Sequence, residues 1–578
     1  MKTHLLAVLM LLTFNTLVAQ TGTTANSKNM GNSGWNELVD HFFDDFFKLN
    51  PTQATAAGFH LHDSELEDYS RQGIENQIAF AKNYLDKVNA FDSKSLSLEE
   101  RQDYQLLVNN LKSTLLELED IRSWEKNPDH YSSGLTQSAF VIMSRKFAPP
   151  EKRLQSLIDR EKKMPAFLAA GKANLKNPPR IYTEVAIDQL PGIVGFFQKD
   201  VPEAFTEVKD PKLLAEFNAS NAAVIAALQD YATFLKQTLL PVSNGDFRIG
   251  IENYRKKLLY DEMVDIPVDR LLQIGYDDLR RNQESFKRVA AQIDSKKTFE
   301  QIRTELQADH PEPDQLLKTF RDDLTGIRQF IIDKHIVTIP SPVPPIVEET
   351  PPFARALTFA SMDTPGPYEK VATEAFFNVT LPEADWPKER TESFMGQFNR
   401  STMISVAIHE VYPGHYVQFL WVPAAPSKIR KLLGCSSNAE GWAHYTEQMM
   451  LDEGYGNADL KLRLGQIQDA LLRDARYIVG ISMHTGKMTF DEAVQFFQKE
   501  GYQTQATAEV ETKRGTSDPT YLVYTLGKLE IMKLRADYKE KKGSGFSLQE
   551  FHDTFLKQGF PPIKIVRQTM LGDDSPTL

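Results

Sequence analysis

The stretch Thr402 to Leu420, TMISVAIHEVYPGHYVQFL, holds the residues best suited to chemistry. His409 is followed at once by Glu410, and a second imidazole, His415, stands six positions after the first. A His-Glu-x-x-His helix binds zinc because positions i and i+4 share a face, with the Glu set over the metal's water as its base. At i+6 the two rings of an ideal helix would point about 240° apart. Pro413 and Gly414 offer a way out, since proline cannot donate the bond back to His409 and glycine accepts the backbone angles of a bulge. A local bulge would return His415 to the face of His409. In the plainer alternative the helix ends at Tyr412, Pro-Gly is a turn, and the histidines are unrelated.

A second stretch, Asn438 to Met450, reads NAEGWAHYTEQMM and places Glu440, His444 and Glu447 at i, i+4 and i+7, on one helical face. A catalytic zinc takes three protein ligands and keeps its fourth position for water. Glu440 is the candidate third ligand, with Glu447 behind it orienting an imidazole; His444 competes as a ligand. Read blandly, Glu440 and Glu447 are a solvated helix face. With Zn²⁺ on His409, His415 and Glu440, the expected reaction is amide hydrolysis. The ion lowers the pKa of its water toward ~7 and polarises the carbonyl, and Glu410 carries the proton to the leaving amine.

His-Glu-x-x-Pro-Gly-His (His409 to His415) together with Glu-Gly-Trp-Ala (Glu440 to Ala443) resembles the bacterial family known as domain of unknown function 885. LNPTQATAAGFHLHDSELEDYS (Leu49 to Ser70) is similar to the family's opening, and GISMHTGKMTFDEA (Gly480 to Ala493) and YLVYTLGKLEIMKLR (Tyr521 to Arg535) to its closing motifs. FHDTFLKQGFPP (Phe551 to Pro562) is similar to its tail, so the resemblance covers nearly the whole mature chain. It implies an exported zinc peptidase of the Glu-zincin type. Glu-Gly-Trp-Ala is also similar to a stretch of aminopeptidase N relatives whose Glu ligates zinc, which implies that role for Glu440. Dipeptidyl peptidase III is similar in having a lengthened His-Glu motif that binds zinc through a helix bulge. Two departures stand out: Tyr416 where members often carry another His, and His444 where they are often apolar.

The downstream motifs that carry the resemblance also hold candidates for the donor to the oxyanion: Tyr524, His484 and Arg514. As ordinary structure, Tyr524 would be core, His484 a capped turn and Arg514 a surface charge. A helical zinc enzyme of this size could be an aminopeptidase, a carboxypeptidase or a dipeptidase; the type expected is an exopeptidase of the carboxypeptidase or dipeptidase type, acting on peptides, with Lys513 and Arg514 hinting at capture of a carboxylate. A serine or cysteine hydrolase finds little support, because no Gly-x-Ser-x-Gly elbow is present and Cys435 reads as inert packing. The alternative from another class is a non-catalytic helical peptide-binding protein that retains the fold. The presence of Glu410 argues against it.

Positioning these groups falls to helices. From Gly34 onward the chain is predicted to be mainly α, a large multi-helix, zinc-peptidase-like body with a deep cleft and a small β element before the metal-site helix. In WNELVDHFFDDFFKL the apolar residues Trp35, Leu38, Val39, Phe42, Phe43, Phe46 and Phe47 follow helical spacing and read as core. Five parts are expected: a signal peptide at 1–19, a flexible leader at 20–33, an N-terminal helical region at 34–335, a Pro-rich and β segment at 336–399, and a C-terminal helical zinc-site region at 400–578. Ile336 to Pro352, with six prolines, must be extended. The alternation in ATEAFFNVTL, within Tyr368 to Leu381, predicts a strand that either pairs with an extended substrate or packs as an ordinary hairpin.

The whole-chain arithmetic narrows the partners. Sixty-six Lys and Arg against 78 Asp and Glu give a net charge of −12 with no basic tract, which argues against nucleic acid or an anionic membrane as the main partner. Met1 to Ala19 has an early Lys2, a short apolar run and small residues before Gln20, the layout of a secretory signal peptide. No cysteine follows that run, so the mature protein is expected to be periplasmic without a membrane anchor. One cysteine in 578 residues excludes an internal disulfide and a multi-thiolate zinc site, leaving histidine and carboxylate as the available ligands.

Overall fold

A computed structural model describes residues 33–351, 355 and 358–578; the expected signal peptide, nearly all of the leader and Pro352 lie outside the described residues. Helix accounts for 71% and strand for 3%, so the mainly α expectation stands. The aromatic stripe of the first helix, Ser33–Leu49, is core: Trp35, Val39, Phe42, Phe43 and Phe47 are buried, with Tyr84 and Leu107 from the next helices. Burying each such side chain contributes about 2–3 kcal/mol. Ile429 and Ile565 enter the same cluster, which joins the start of the chain to its end. A buried ion pair, Arg430 Nε to Asp103 Oδ1 at 2.9 Å, reinforces that joint.

The Pro-rich segment is extended, and four of the five residues between Pro345 and Pro351 form a strand, β1 (Ile346–Glu349). Proline cannot donate to a ladder, which confines the strand to that gap. β2 (Ala360–Asp363) and β3 (Phe376–Val379) complete a small sheet in the order β1-β3-β2. β3 is parallel to β1, with Ile346 opposite Phe376, and antiparallel to β2, with Ala360 opposite Val379. The strand with the strongest sequence signal is therefore central, with both ladders occupied by its neighbours. That corrects one of the two expectations for it: β3 has no edge to offer a substrate, and the outer edges belong to β1 and β2.

Phe377 and Val379 of β3 pack in one core with Phe320, Leu324 and Ile327 of the helix Leu316–Asp333 and with Met403, Ala407 and Ile408. The last three lie on the helix Arg400–Glu410, which carries His409. Asn399 starts that helix, its side-chain oxygen accepting from Ser401 N at 3.1 Å and Thr402 N at 3.2 Å. The helix Ser436–Asp452, which carries Glu440, packs against both the His409 helix and the helix Val523–Lys542, which carries Tyr524. A long helix, Leu460–His484, lies against both the His409 helix and the helix Val268–Ile293.

Candidate metal centre

The His409 helix ends at Glu410, residues 411–414 form a turn, and a new helix begins at His415 (His415–Trp421). The expected bulge within one continuous helix is thus replaced by a break, yet the two imidazoles still converge, with ring centroids 4.8 Å apart. The break follows from the residues present. Pro413 cannot continue the ladder. Gly414 N reaches back to Ile408 O at 3.0 Å, and a Cβ on Gly414 would stand 1.8 Å from His409 O, so only glycine permits the close return. The buried Trp442 of Glu-Gly-Trp-Ala fastens this turn, donating from its indole to Pro413 O at 2.9 Å. The two motifs are therefore parts of one construction.

Glu440 Oε2 lies 3.4 Å from His409 Nε2 and 3.5 Å from His415 Nε2, and one ligand atom from each of the three residues falls within 4.8 Å of the others. Ligands held at ~2.1 Å around a tetrahedral zinc ion stand about 3.4 Å from one another, which the separations of Glu440 from the two imidazole nitrogens match. The rest of the His409 ring is committed: its Nδ1 bonds Glu447 Oε1 at 2.7 Å, which leaves Nε2 to face the cluster. Glu447 also takes Arg473 Nη2 at 3.0 Å and, through Oε2, His444 Nδ1 at 3.0 Å. His444 is fully buried behind Glu447 and lies outside the cluster.

Electrostatics follow this layout. Burial pulls the His409 imidazole down, but the bonds from Glu440 and Glu447 outweigh it and raise it to about 9. Burial would raise Glu440 as well; His415 and His409 reverse that and hold it well below the carboxylate range. Glu447 is likewise held low, Arg473 and the two imidazoles overcoming its burial. Burial takes His444 down to about 3, so its ring is neutral. Burial raises Glu410, and that carboxylate makes no hydrogen bond or ion pair with a described residue. The cluster is not sealed, since the side chains of His415 and Glu440 are 12% and 28% exposed.

Of the three downstream candidates the structure brings two together. The Tyr524 ring stacks near His409 at 6.5 Å, and Arg514 Nη2 donates to the Tyr524 hydroxyl at 3.3 Å. His484 goes elsewhere. It is fully buried beside Phe247 and Tyr254, its Nε2 bonds Gly515 O at 2.8 Å, and burial lowers it to about 4. Sequence reasoning missed Arg473 and Arg476, which sit three positions apart on the long helix with guanidinium carbons 5.7 and 5.1 Å from the Tyr524 ring. Their one signal was that spacing, which points two cations toward one face.

Fold and site together define a mainly helical protein with a His-His-Glu cluster whose donor set suits a metal ion. The chain belongs to the family of bacterial proteins of unknown function designated DUF885, whose model matches residues 51–570. Among solved structures it is similar to a protein from Shewanella oneidensis described as a lipoprotein of unknown function, with 30% identity, a TM-score of 0.78 and coverage of 93% of this chain and 100% of that one. A second, from Colwellia psychrerythraea and also described as a lipoprotein, shares the fold at 18% identity, with a TM-score of 0.78 and coverage of 93% and 98%. No curated protein matches. Among the described residues, no helix is long and apolar enough to cross a membrane.

Proposed function

We propose that the protein is an exported, zinc-dependent peptidase of the exopeptidase type. The observation that carries the reading is the convergence of His409 Nε2, His415 Nε2 and Glu440 Oε2 at separations that suit one ion, with Glu410 next to His409 and making no hydrogen bond or ion pair with a described residue. Zinc in that site would supply Lewis acidity and a water of lowered pKa. Glu410 would take the proton of the attacking water and pass it to the leaving amine; a half-buried carboxylate with a raised pKa is suited to both halves of that transfer. Tyr524 would donate to the oxygen on which charge develops, its ring lying next to His409. Glu447 would keep the His409 ring oriented with Nε2 toward the cluster.

Export to the periplasm is supported by the apolar run of the expected signal peptide and by the description of both similar structures as lipoproteins. Peptide as substrate rests on the chemistry of the cluster, which suits an amide carbonyl. The test is hydrolysis of a broad peptide library by the zinc-loaded protein with and without a chelator. Cleavage that stops on chelation and returns with zinc is the expected result. A zinc-loaded protein that cleaves no peptide would overturn the reading and leave a peptide-binding role.

A further inference from the structure

We infer that Arg514 grips the C-terminal carboxylate of the substrate, which makes the enzyme one that removes a short piece from a free C-terminus; the inference rests on the peptidase reading above. Three guanidinium groups surround the ring of Tyr524, with their central carbons at 5.7 Å for Arg473, 5.1 Å for Arg476 and 5.9 Å for Arg514. Two of them are committed. Arg473 is held by Glu447 at 3.0 Å, and Arg476 forms a two-pronged pair with Glu511 at 2.7 and 2.8 Å. Both side chains are nearly buried, at 12% and 11% exposure.

Arg514 differs. Its side chain is 42% exposed and it uses only Nη2, which reaches Asp518 at 3.2 Å and the Tyr524 hydroxyl at 3.3 Å. Nε and Nη1 donate to no described residue. An exposed i,i+4 pair such as Arg514–Asp518 is weak, whereas the planar fork of a guanidinium matches a carboxylate with two parallel bonds. Lys513, exposed and without an ion partner among the described residues, adds positive charge next to it.

The position suits a chain terminus. Tyr524 stands between the metal cluster and Arg514, its ring 6.5 Å from that of His409 and its hydroxyl bonded to the guanidinium. An extended peptide advances ~3.5 Å per residue, so a carboxylate on Arg514 places the bond at the cluster about one to three residues upstream. The rival role for Arg514 is to support Tyr524 at the oxyanion, which would act on every substrate alike.

The test uses the zinc-loaded full protein and matched peptides that differ only in a free C-terminal acid or its amide. The acid should be cleaved with kcat/KM about 30-fold or more above the amide. Arg514→Gln should bring that ratio to within about 3-fold, chiefly through KM for the acid, and Arg514→Lys should restore part of it. Equal cleavage of acid and amide by the wild type overturns the inference and leaves the peptidase reading standing. So does Arg514→Gln lowering kcat equally on both. Calorimetry on zinc-loaded Glu410→Gln gives an independent readout. Acid-selective binding that is lost in Glu410→Gln/Arg514→Gln supports the carboxylate site even where nothing is hydrolysed, in which case only the peptidase reading falls. Equal binding of acid and amide overturns the carboxylate site.

Discussion

Glu447 spends both carboxylate oxygens on imidazoles, His409 through Oε1 and His444 through Oε2, and takes the Arg473 guanidinium as well. A buried carboxylate so placed fixes which His409 nitrogen faces the cluster and raises its basicity. Glu447→Gln is therefore expected to weaken zinc binding about 10–100-fold with far-UV dichroism unchanged, measured by competition against a metal indicator. Unchanged affinity would remove Glu447 from the site. At this scale the sequence was informative where a motif supplies the cluster: the proximity of His409, His415, Glu440 and Glu447 was legible from type and spacing, with Glu410 next in the chain to His409. Arg473 and Arg476 were not, because an arginine on a long helix has no local pattern that says what it faces. His484 was misplaced because its motif has a packing role, its imidazole capping Gly515 O inside an aromatic pocket.

Elements bring these residues together through two backbone approaches that only glycine allows. One is the return of the 411–414 turn, where Gly414 lies against His409 O. The other joins the Glu440 and Tyr524 helices: a Cβ on Gly441 would stand 2.4 Å from Gly527 Cα, and one on Gly527 would stand 1.8 Å from Ser437 O. The first residues of the Glu440 helix are further held by Glu262, whose Oε2 accepts from Ser437 N at 3.0 Å. Gly527→Ala must push the two helices apart. It is expected to cost about 3 kcal/mol or more in thermal unfolding and to lower zinc occupancy, because Glu440 moves with its helix. Full stability and full occupancy in that variant would contradict the close packing. Spacing alone could not separate a bulge from a break, since both return His415 to His409. What separates them is the tertiary anchor from Trp442 to Pro413 O, which lies 29 residues away in sequence.

Across the whole molecule the helical class was readable from periodicity, and the aromatic stripe of the first helix proved to be core. Which helices pair was not readable, nor was the parallel contact of β1 with β3, because such contacts join segments with no shared local pattern. Stability carries a pH signature from two buried acids away from the cluster. Glu161 and Glu530 are each raised to about 8 by burial, and each has a carboxylate oxygen without a hydrogen-bond partner among the described residues. Their ordinary value is 4.5, so between 4.5 and about 8 the folded chain holds protons that the unfolded chain has released. Stability is thus greatest below that interval and is lost as pH rises through it. Glu161→Gln is expected to be more stable than the wild type at pH 8 by about 2 kcal/mol and to lose less between pH 5 and pH 8, measured as the shift in denaturant midpoint. A midpoint with the wild type's full pH dependence would show that Glu161 ionises without penalty.

The proposed role of Glu410, the base beside a metal held by His409, His415 and Glu440, is tested by the rate of peptide cleavage by Glu410→Gln together with its zinc content. Zinc at one equivalent per chain, as in the wild type, with kcat lower by about 10²–10⁴-fold is the predicted result. Cleavage at the wild-type rate by the zinc-loaded variant would contradict it.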